Sequence, residues 1–386
     1  MSYPDYYPEN FEFSYDYSPN YDENFTIPTY FENPDDETKY LIFISDIADF
    51  LEKLNLIFSF IGLFLNLAHF LVMIQTKMRN SSVNILMIGI SICDILIIGN
   101  TVVGWIYGEL SANQCWPKDT YLSRVVLLFF EFLVNLLLRV SPWLGLSMAV
   151  IRATVLLFPL NPRISKLSEK HDGYKVILVV FGLSFLISGF LFARFSVFKD
   201  GQWKAPEGCS YPTNYTQTRY IVLVGRKVIF SDRTSREIYG IVNGASNVIP
   251  AVLYPVIAVI LMVQLWKMKR NHDKLFSHRE NVEKDHTTIL VSIMTITFFI
   301  SQLPVGLSMW LALLFPFHNV VLHALDQGKH LTSMLFTLNA TCHCVIFATL
   351  SSQYRDVARE MFRCGRQKKI VPVDSTTSGH QSHKIE

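Results

Sequence analysis

The sequence predicts an all-α membrane protein that folds as a bundle of seven transmembrane helices. Hydrophobic residues make up 50% of its 386 residues and charged residues only 17%, whereas a soluble chain is usually about a quarter charged. The charge deficit falls in seven apolar stretches, each long enough to cross a ~30 Å hydrocarbon core as a helix. These stretches are residues 50–75, 83–107, 124–157, 174–195, 238–266, 287–315 and 331–350. Their number disfavours the alternative, buried helices of a large soluble protein.

The distribution of lysine and arginine predicts how the bundle is oriented. With the N-terminus outside, the short inner segments are densely basic, as the positive-inside rule requires. These inner residues are Lys77 and Arg79, then Arg163, Lys166 and Lys170, then Lys267, Lys269 and Arg270, and last the basic residues of 355–369. More than half of the outer basic residues lie in one long loop, 199–236, and long loops carry little weight in that rule. We therefore expect a multi-pass plasma-membrane protein with an extracellular N-terminus.

Composition divides the chain into three regions. Residues 1–48 are rich in acids and tyrosines, which is typical of a disordered acidic tail, here extracellular. Residues 49–363 form the seven-helix domain, and the polar residues 364–386 are expected to be a disordered cytoplasmic tail. The sequons at Asn24 and Asn214 fall on the predicted outer side and are candidate glycosylation sites.

The cysteines divide by location. Three of the six lie inside predicted spans, where a cysteine usually acts as a small apolar residue. Cys364 follows the last helix on the inner side and is a candidate palmitoylation site. Cys115 and Cys209 are the two predicted to lie in the oxidising outer compartment, where two such cysteines most simply pair. We therefore expect a disulfide between them.

Four charged residues fall inside the predicted spans: Asp94, Glu131, Arg139 and, at the inner rim, Arg152. A charge near the bilayer centre costs ~3 kcal/mol on insertion scales, so each needs a partner or a water-filled interior. Glu131, Asn135 and Arg139 follow at steps of four along one side of a helix. The two charges of this stripe are ~12 Å apart along the axis and cannot touch. The stripe fits a structural polar network and a ligand site equally well.

Motifs along the spans resemble those of the rhodopsin-like G-protein-coupled receptors, over essentially all of residues 49–364. The matching residues are Gly62 and Asn66, Asn84 and Asp94, Ser141, Arg152 and Pro159, Pro250, Phe298 and Pro304, and Asn339 and Phe347. A short amphipathic stretch at about 353–362 is similar to the eighth helix of that family. Each motif is weak alone, but together they occur in order at the family's spacing.

Several details are most similar to the nematode serpentine receptor class W, a chemoreceptor-like group related to FMRFamide-type peptide receptors. They are the segments WLGLSMAVIR at 143–152, FPLN at 158–161, LPVG at 303–306 and SSQYR at 351–355.

The resemblance implies a coupling surface at the cytoplasmic end of the third span. Arg152 would pack in the cytoplasmic mouth and meet the G protein on activation, with Pro159 and Leu160 beside it. The acid that usually precedes this arginine is Ile151 here, so another residue must hold Arg152. The alternative from position alone is an interfacial anchor whose charged head reaches the lipid headgroups.

The resemblance also implies two groups of interior residues. The positions that match the family's ligand pocket are Glu131, Asn135, Tyr239, Asn243, Gln302 and Lys329. Those that match its buried polar network are Asn66, Asp94, Ser141 and Asn339. For Glu131 a ligand role is slightly favoured over a structural role as partner of Arg139 through Asn135. Ala340 and His343 replace two residues of the family's sodium site, which disfavours sodium binding.

The favoured function is a G-protein-coupled receptor that binds an extracellular ligand and activates a heterotrimeric G protein. Its other partner would be the lipid bilayer, with no nucleic acid. The chain shows no nucleophile–base pair, phosphate loop or metal-ligand spacing, so we expect neither an enzyme nor a cofactor or bound metal. A neuropeptide is the preferred ligand because the long outer loop is basic and the tail is acidic. The alternatives are a chemosensory receptor for a small molecule and, in another class, a transporter or channel.

Overall fold

The computed structural model of the protein describes residues 34–111, 115, 119–206, 208–212, 215–224, 232–275, 286–315 and 319–362. In this part of the chain the main elements are α1 (Pro34–Met73), α2 (Ser82–Ser111), α3 (Tyr121–Leu157), α4 (Lys170–Phe192), β1 (Phe195–Lys204), β2 (Thr216–Val224), α5 (Asp232–Leu275), α6 (His286–Leu314), α7 (Asn319–Leu350) and α8 (Ser352–Phe362). A helical turn at Pro162–Ser165 and a 3-10 turn at Lys166–Ser168 lie between α3 and α4. Helices α1–α7 are long and apolar enough to cross a membrane, which confirms the seven predicted spans.

Several helices extend beyond the apolar stretches that predicted them. The first helix begins at Pro34, inside the region 1–48 that was expected to be disordered, and residues 1–33 lie outside the described part. Proline suits the first turn of a helix because its missing N–H has no helical partner there. Helix α7 begins at Asn319, well before the predicted span at 331. Apolar content locates the membrane crossing, whereas helical hydrogen bonding continues through polar residues at either end.

A β-hairpin, which the sequence pattern did not predict, follows α4. Strands β1 and β2 pair antiparallel from Phe195 opposite Val224 to Lys204 opposite Thr216. Both strands are rich in aromatic and β-branched residues, which favour extended backbone. The register shifts between Lys199 and Gln202, where Gly201 has φ +85°, a conformation that glycine adopts without strain. The sequence predicts this segment only as a basic outer loop.

Helix α3 lies at the centre of the bundle and packs against α2, α4, α5 and α6. Its buried residues run from Leu136 to Ala153 and join the main hydrophobic core. Helix α1 packs against α2 and α7, and α6 packs against α5 and α7. Many large apolar side chains point outward from the bundle. Phe64 and Leu178, for example, are each 73% exposed. Such surfaces are costly in water and are solvated by lipid.

Helices α5 and α6 approach α3 closely at Gly145. A Cβ atom placed there would lie 2.7 Å from the ring of Phe298 on α6 and 2.7 Å from the hydroxyl of Tyr254 on α5. These two rings stack with their centroids 5.7 Å apart and 5° between their planes. The Tyr254 hydroxyl donates to the carbonyl oxygen of Pro142 at 2.6 Å. The absence of a side chain at Gly145 therefore lets α5 and α6 approach α3.

Candidate functional site

One end of the bundle is closed by a disulfide. Cys115 and Cys209 are bonded, with their Cα atoms 5.4 Å apart, which confirms the predicted pairing. The bond joins the segment before α3 to the chain between β1 and β2. We call this end of the bundle the disulfide end and the opposite end, where Arg152 lies, the Arg152 end.

A second connection holds the hairpin to the start of α3. The Asp119 carboxylate accepts from Arg124 Nη2 at 2.6 Å and lies 3.3 Å from Arg219 Nε of β2. The backbone N–H of Tyr220 donates to the Asp119 carbonyl at 2.8 Å, and Arg124 Nε donates to the Tyr220 carbonyl at 3.1 Å. The hairpin is thus fixed by ion pairs and backbone hydrogen bonds in addition to the disulfide.

Midway along α3, Arg139 is the centre of a buried polar cluster that joins three helices. Its side chain is only 2% exposed. Nε donates to Ser246 Oγ at 3.0 Å, and Nη2 donates to Asn243 Oδ1 at 2.9 Å, both on α5. Nη1 donates to Ser188 Oγ of α4 at 2.6 Å and to Asn135 Oδ1 at 3.4 Å. We call these five residues the Arg139 cluster; all four acceptors are neutral.

Glu131 lies about two helical turns closer to the disulfide end of α3. Its Oε2 atom is buried and has no hydrogen-bond partner among the described residues. Asn135 lies between Glu131 and Arg139, but the hydrogen bonds described for its side chain join it to Arg139 and Ser188. In the structural alternative, Asn135 would link Glu131 to Arg139. The structure shows the hydrogen bond between Asn135 and Arg139 but none between Asn135 and Glu131 among the described contacts.

The other predicted pocket residues are not part of the Arg139 cluster. Gln302 is buried on α6. Lys329 is exposed on α7 and pairs with Asp326 of the same helix at 2.8 Å. Tyr239 lies in α5, and its side chain is outside the described part. Of the six residues predicted for the pocket, the structure joins Asn135 and Asn243, and it does so through Arg139.

The predicted polar network is centred on Asp94 of α2, which is fully buried. Asp94 Oδ1 accepts from Ser141 Oγ of α3 at 3.3 Å. Its Oδ2 lies 2.9 Å from Nδ1 of His343 on α7. We call these three residues the Asp94 cluster. From the sequence, His343 is only a departure from the family pattern, and its role as the partner of Asp94 was not predicted. The His343 ring nitrogen thus contacts a carboxylate oxygen of Asp94 directly.

Asn66 and Asn339, the other two predicted members of this network, have no hydrogen bond to Asp94 among the described contacts. Asn66 Nδ2 donates to the Gly62 carbonyl of its own helix at 2.9 Å. The Oδ1 atoms of both asparagines are buried without a described hydrogen-bond partner. The Nε2 atom of His343 is also buried without one. Orphaned buried polar atoms of this kind are commonly satisfied by internal water.

At the Arg152 end, Arg152 is half-buried, and its Nε donates to Thr288 Oγ1 of α6 at 2.9 Å. In the receptors that this chain resembles, an acid directly before the arginine holds it in place, but that position is Ile151 here. Thr288 is one residue that holds Arg152 instead. Pro159 is exposed and Leu160 is 95% exposed in the loop beyond α3. These residues form a surface that combines a tethered cation with an apolar loop.

Helix α8 packs beneath the bundle at this same end. The hydroxyl of Tyr354 lies 3.2 Å from His69 Nδ1 of α1, and burial raises the pKa of Tyr354. Its hydroxyl therefore remains neutral and can still donate a hydrogen bond. The predicted glycosylation sites Asn24 and Asn214 and the predicted palmitoylation site Cys364 lie outside the described residues.

Seven helices that can cross a membrane, with a disulfide at one end of the bundle and a hydrogen-bonded arginine at the other, define a seven-transmembrane membrane protein. The chain belongs to the serpentine type 7TM GPCR chemoreceptor Srw family, whose profile matches residues 53–365. This match confirms the resemblance to serpentine receptor class W. The family is a class of receptors and not of enzymes. Among curated proteins, none matches the sequence.

Proposed function

We propose that this receptor lies in the plasma membrane with the disulfide end outside, and that ligand binding there activates a heterotrimeric G protein at the Arg152 end. The observation that carries this proposal is the tethered Arg152. A half-buried guanidinium on α3, bonded to Thr288 of α6 beside the exposed Leu160, can be released when α6 moves. The freed donors can then bind backbone carbonyls or carboxylates of a partner.

A neuropeptide is the ligand class that we favour. The hairpin exposes Lys199, Lys204 and Arg219 at the disulfide end, and the acidic tail precedes α1 in the chain. Complementary surfaces of this kind attract extended charged ligands and speed their association. A small chemosensory molecule is the alternative within the receptor class. The two ligand classes differ in the surface that they contact. A peptide would contact both the hairpin and the bundle interior, whereas a small molecule would contact the interior alone.

The first test replaces Arg152. We expect Arg152→Ala to abolish ligand-dependent nucleotide exchange on the G protein at unchanged surface expression. Arg152→Lys should also impair exchange, because a point charge does not replace a planar fork of donors. Arg163→Ala, an exposed arginine in the following loop, is the matched control and should signal normally. Normal exchange by Arg152→Ala would favour the interfacial-anchor alternative.

The second test releases the tether and keeps the arginine. Thr288→Val preserves shape and removes the hydroxyl that accepts from Arg152. Loss of ~1 kcal/mol of restraint should raise ligand-independent exchange about fivefold. The adjacent, exposed Thr287→Val is the control. Basal exchange that is unchanged or lower in Thr288→Val would show that this hydrogen bond does not restrain the inactive state.

A further inference from the structure

The Arg139 cluster holds a buried positive charge with no carboxylate partner among the described residues. An arginine side chain does not lose its proton in proteins, so the charge persists in a site that is 2% exposed. The four acceptors are the side-chain oxygens of Asn135, Ser188, Asn243 and Ser246. They satisfy donors but contribute no negative charge. A buried charge is normally paired with an opposite one.

The acidic residues nearest to Arg139 along the bundle, Asp94 and Glu131, do not lie within contact distance of its guanidinium group. Asp94 belongs to the other side of α3, where its two carboxylate oxygens are engaged by Ser141 and His343. Glu131 lies ~12 Å from Arg139 along the helix axis. Its buried Oε2 has no described partner. The stripe from Glu131 to Arg139 therefore carries a buried cation without a carboxylate partner and a buried carboxyl oxygen without a described hydrogen-bond partner.

We propose that this stripe binds a zwitterionic ligand whose carboxylate pairs with Arg139 and whose cationic group pairs with Glu131. The inference rests on the proposed ligand role of this region and adds the chemistry of the ligand. A carboxylate presents two coplanar oxygens that match the donors of a guanidinium. The carboxylate end lies deeper in the bundle, and the cationic end lies toward the disulfide end.

The separation of the two charges sets the length of the ligand. An extended peptide advances ~3.3 Å per residue, so ~12 Å corresponds to three or four residues. A short peptide with a free C-terminal carboxylate and a basic residue three or four positions earlier has this spacing. An amidated peptide lacks the negative charge that Arg139 requires.

Asn135 is the residue that the ligand carboxylate displaces. Its contact with Arg139 is the longest of the four, at 3.4 Å, and it lies between the two charged residues on the same side of α3. The contacts to Ser188, Asn243 and Ser246 are shorter, at 2.6, 2.9 and 3.0 Å. These three hold the guanidinium in place while the fourth acceptor is exchanged.

The experiment uses the full-length receptor and synthetic peptides of four to six residues, each with one arginine. Every peptide is made as a free acid, as an amide, and as an amide with an aspartate side chain in the last position. Binding is measured by the shift in thermal unfolding temperature against peptide concentration. We expect free acids to bind 10- to 100-fold more tightly than their amides, as for loss of a charged hydrogen bond. Tight binding by the aspartate-containing amides would place a side-chain carboxylate at Arg139.

Receptor variants assign the two charges. Arg139→Gln keeps hydrogen-bonding capacity and should make the acid and the amide bind equally. Glu131→Gln should retain the preference for the acid and abolish the preference for arginine over the neutral citrulline in the peptide. Arg163→Gln, far from the stripe, should bind as the wild type does. If Arg139→Gln fails to fold, the wild type and Glu131→Gln still give the acid–amide and arginine–citrulline comparisons.

Three results would overturn the inference: equal binding of acids and amides by the wild type, no binding by any peptide of this spacing, or an acid preference that survives in a folded Arg139→Gln receptor. Nucleotide exchange on the G protein is measured separately. Peptides that bind with the expected charge preference but never promote exchange would refute the proposed coupling and leave this inference standing.

Discussion

The Arg139 cluster and the Asp94 cluster lie two residues apart on α3 and stabilise opposite charges in different ways. Arg139 faces α4 and α5, whereas Ser141 faces Asp94 of α2. Two residues correspond to a rotation of about 200° around a helix, so the clusters lie on opposite sides of α3. The anion of Asp94 has a histidine beside it, and the cation of Arg139 has only neutral oxygens. Asp94 therefore has a titratable partner within the described residues, whereas the described partners of Arg139 are all neutral.

The largest effect is expected where the partner of a buried charge is removed. His343→Ala leaves the Asp94 carboxylate with Ser141 alone, and breaking a buried pair costs about 3–5 kcal/mol. We expect a strongly lowered unfolding temperature and reduced surface expression. Asp94→Asn combined with His343→Ala should recover part of the loss because no unpaired charge remains. A double variant that is as unstable as His343→Ala would show that packing, and not charge pairing, dominates this cluster.

A smaller loss is expected in the Arg139 cluster, because each acceptor is one of four. Ser188→Ala removes the acceptor at 2.6 Å, and loss of a buried hydrogen bond to a charged group costs about 1.5–3 kcal/mol. Ser184→Ala, also buried on α4, is the matched control. The difference in thermal unfolding between the two variants measures the contribution of the hydrogen bond. Equal stability would mean that the remaining oxygens or water fully replace Ser188.

The smallest effect is expected at the surface, where water screens charge. Asp119→Asn weakens the ion pairs with Arg124 and Arg219, and partly exposed pairs contribute about 0–1 kcal/mol. The backbone hydrogen bonds and the disulfide remain, so the unfolding temperature should change slightly. The difference from the wild type should shrink further as salt increases. Asp326→Asn, which affects the exposed pair with Lys329, is the control and should show less change still.

The sequence was sufficient for those features that depend on local apolar content or on simple location. Stretches of apolar residues predicted all seven spans, and the predicted outer location of Cys115 and Cys209 led to the prediction of their bond. The hairpin was missed because basic residues dominated the interpretation of that loop. The aromatic and β-branched composition of β1 and β2 was the signal that could have predicted them.

The polar clusters were predicted in part, because their partners come from distant helices. The spacing of four residues along α3 places Asn135 next to Arg139, and the two side chains are hydrogen-bonded in the structure. No local pattern shows that Ser188, Asn243 and Ser246 converge on the same guanidinium, since that depends on the packing of α4 and α5. His343 could have been inferred as the partner of Asp94 from charge alone, as a buried anion and a titratable ring on spans that pack together.

The position of the disulfide in the chain has a consequence for the order of assembly during synthesis. Cys115 precedes α3 and Cys209 follows α4, 94 residues later. At a translation rate of ~5–20 residues per second, the thiol of Cys115 waits about 5–20 s before its partner emerges from the ribosome. The bond can close only after two further spans have crossed the bilayer, the second in the opposite direction to the first. A nascent chain that already carries this crosslink has therefore completed the insertion of its first four helices. Formation of the crosslink marks that stage of assembly.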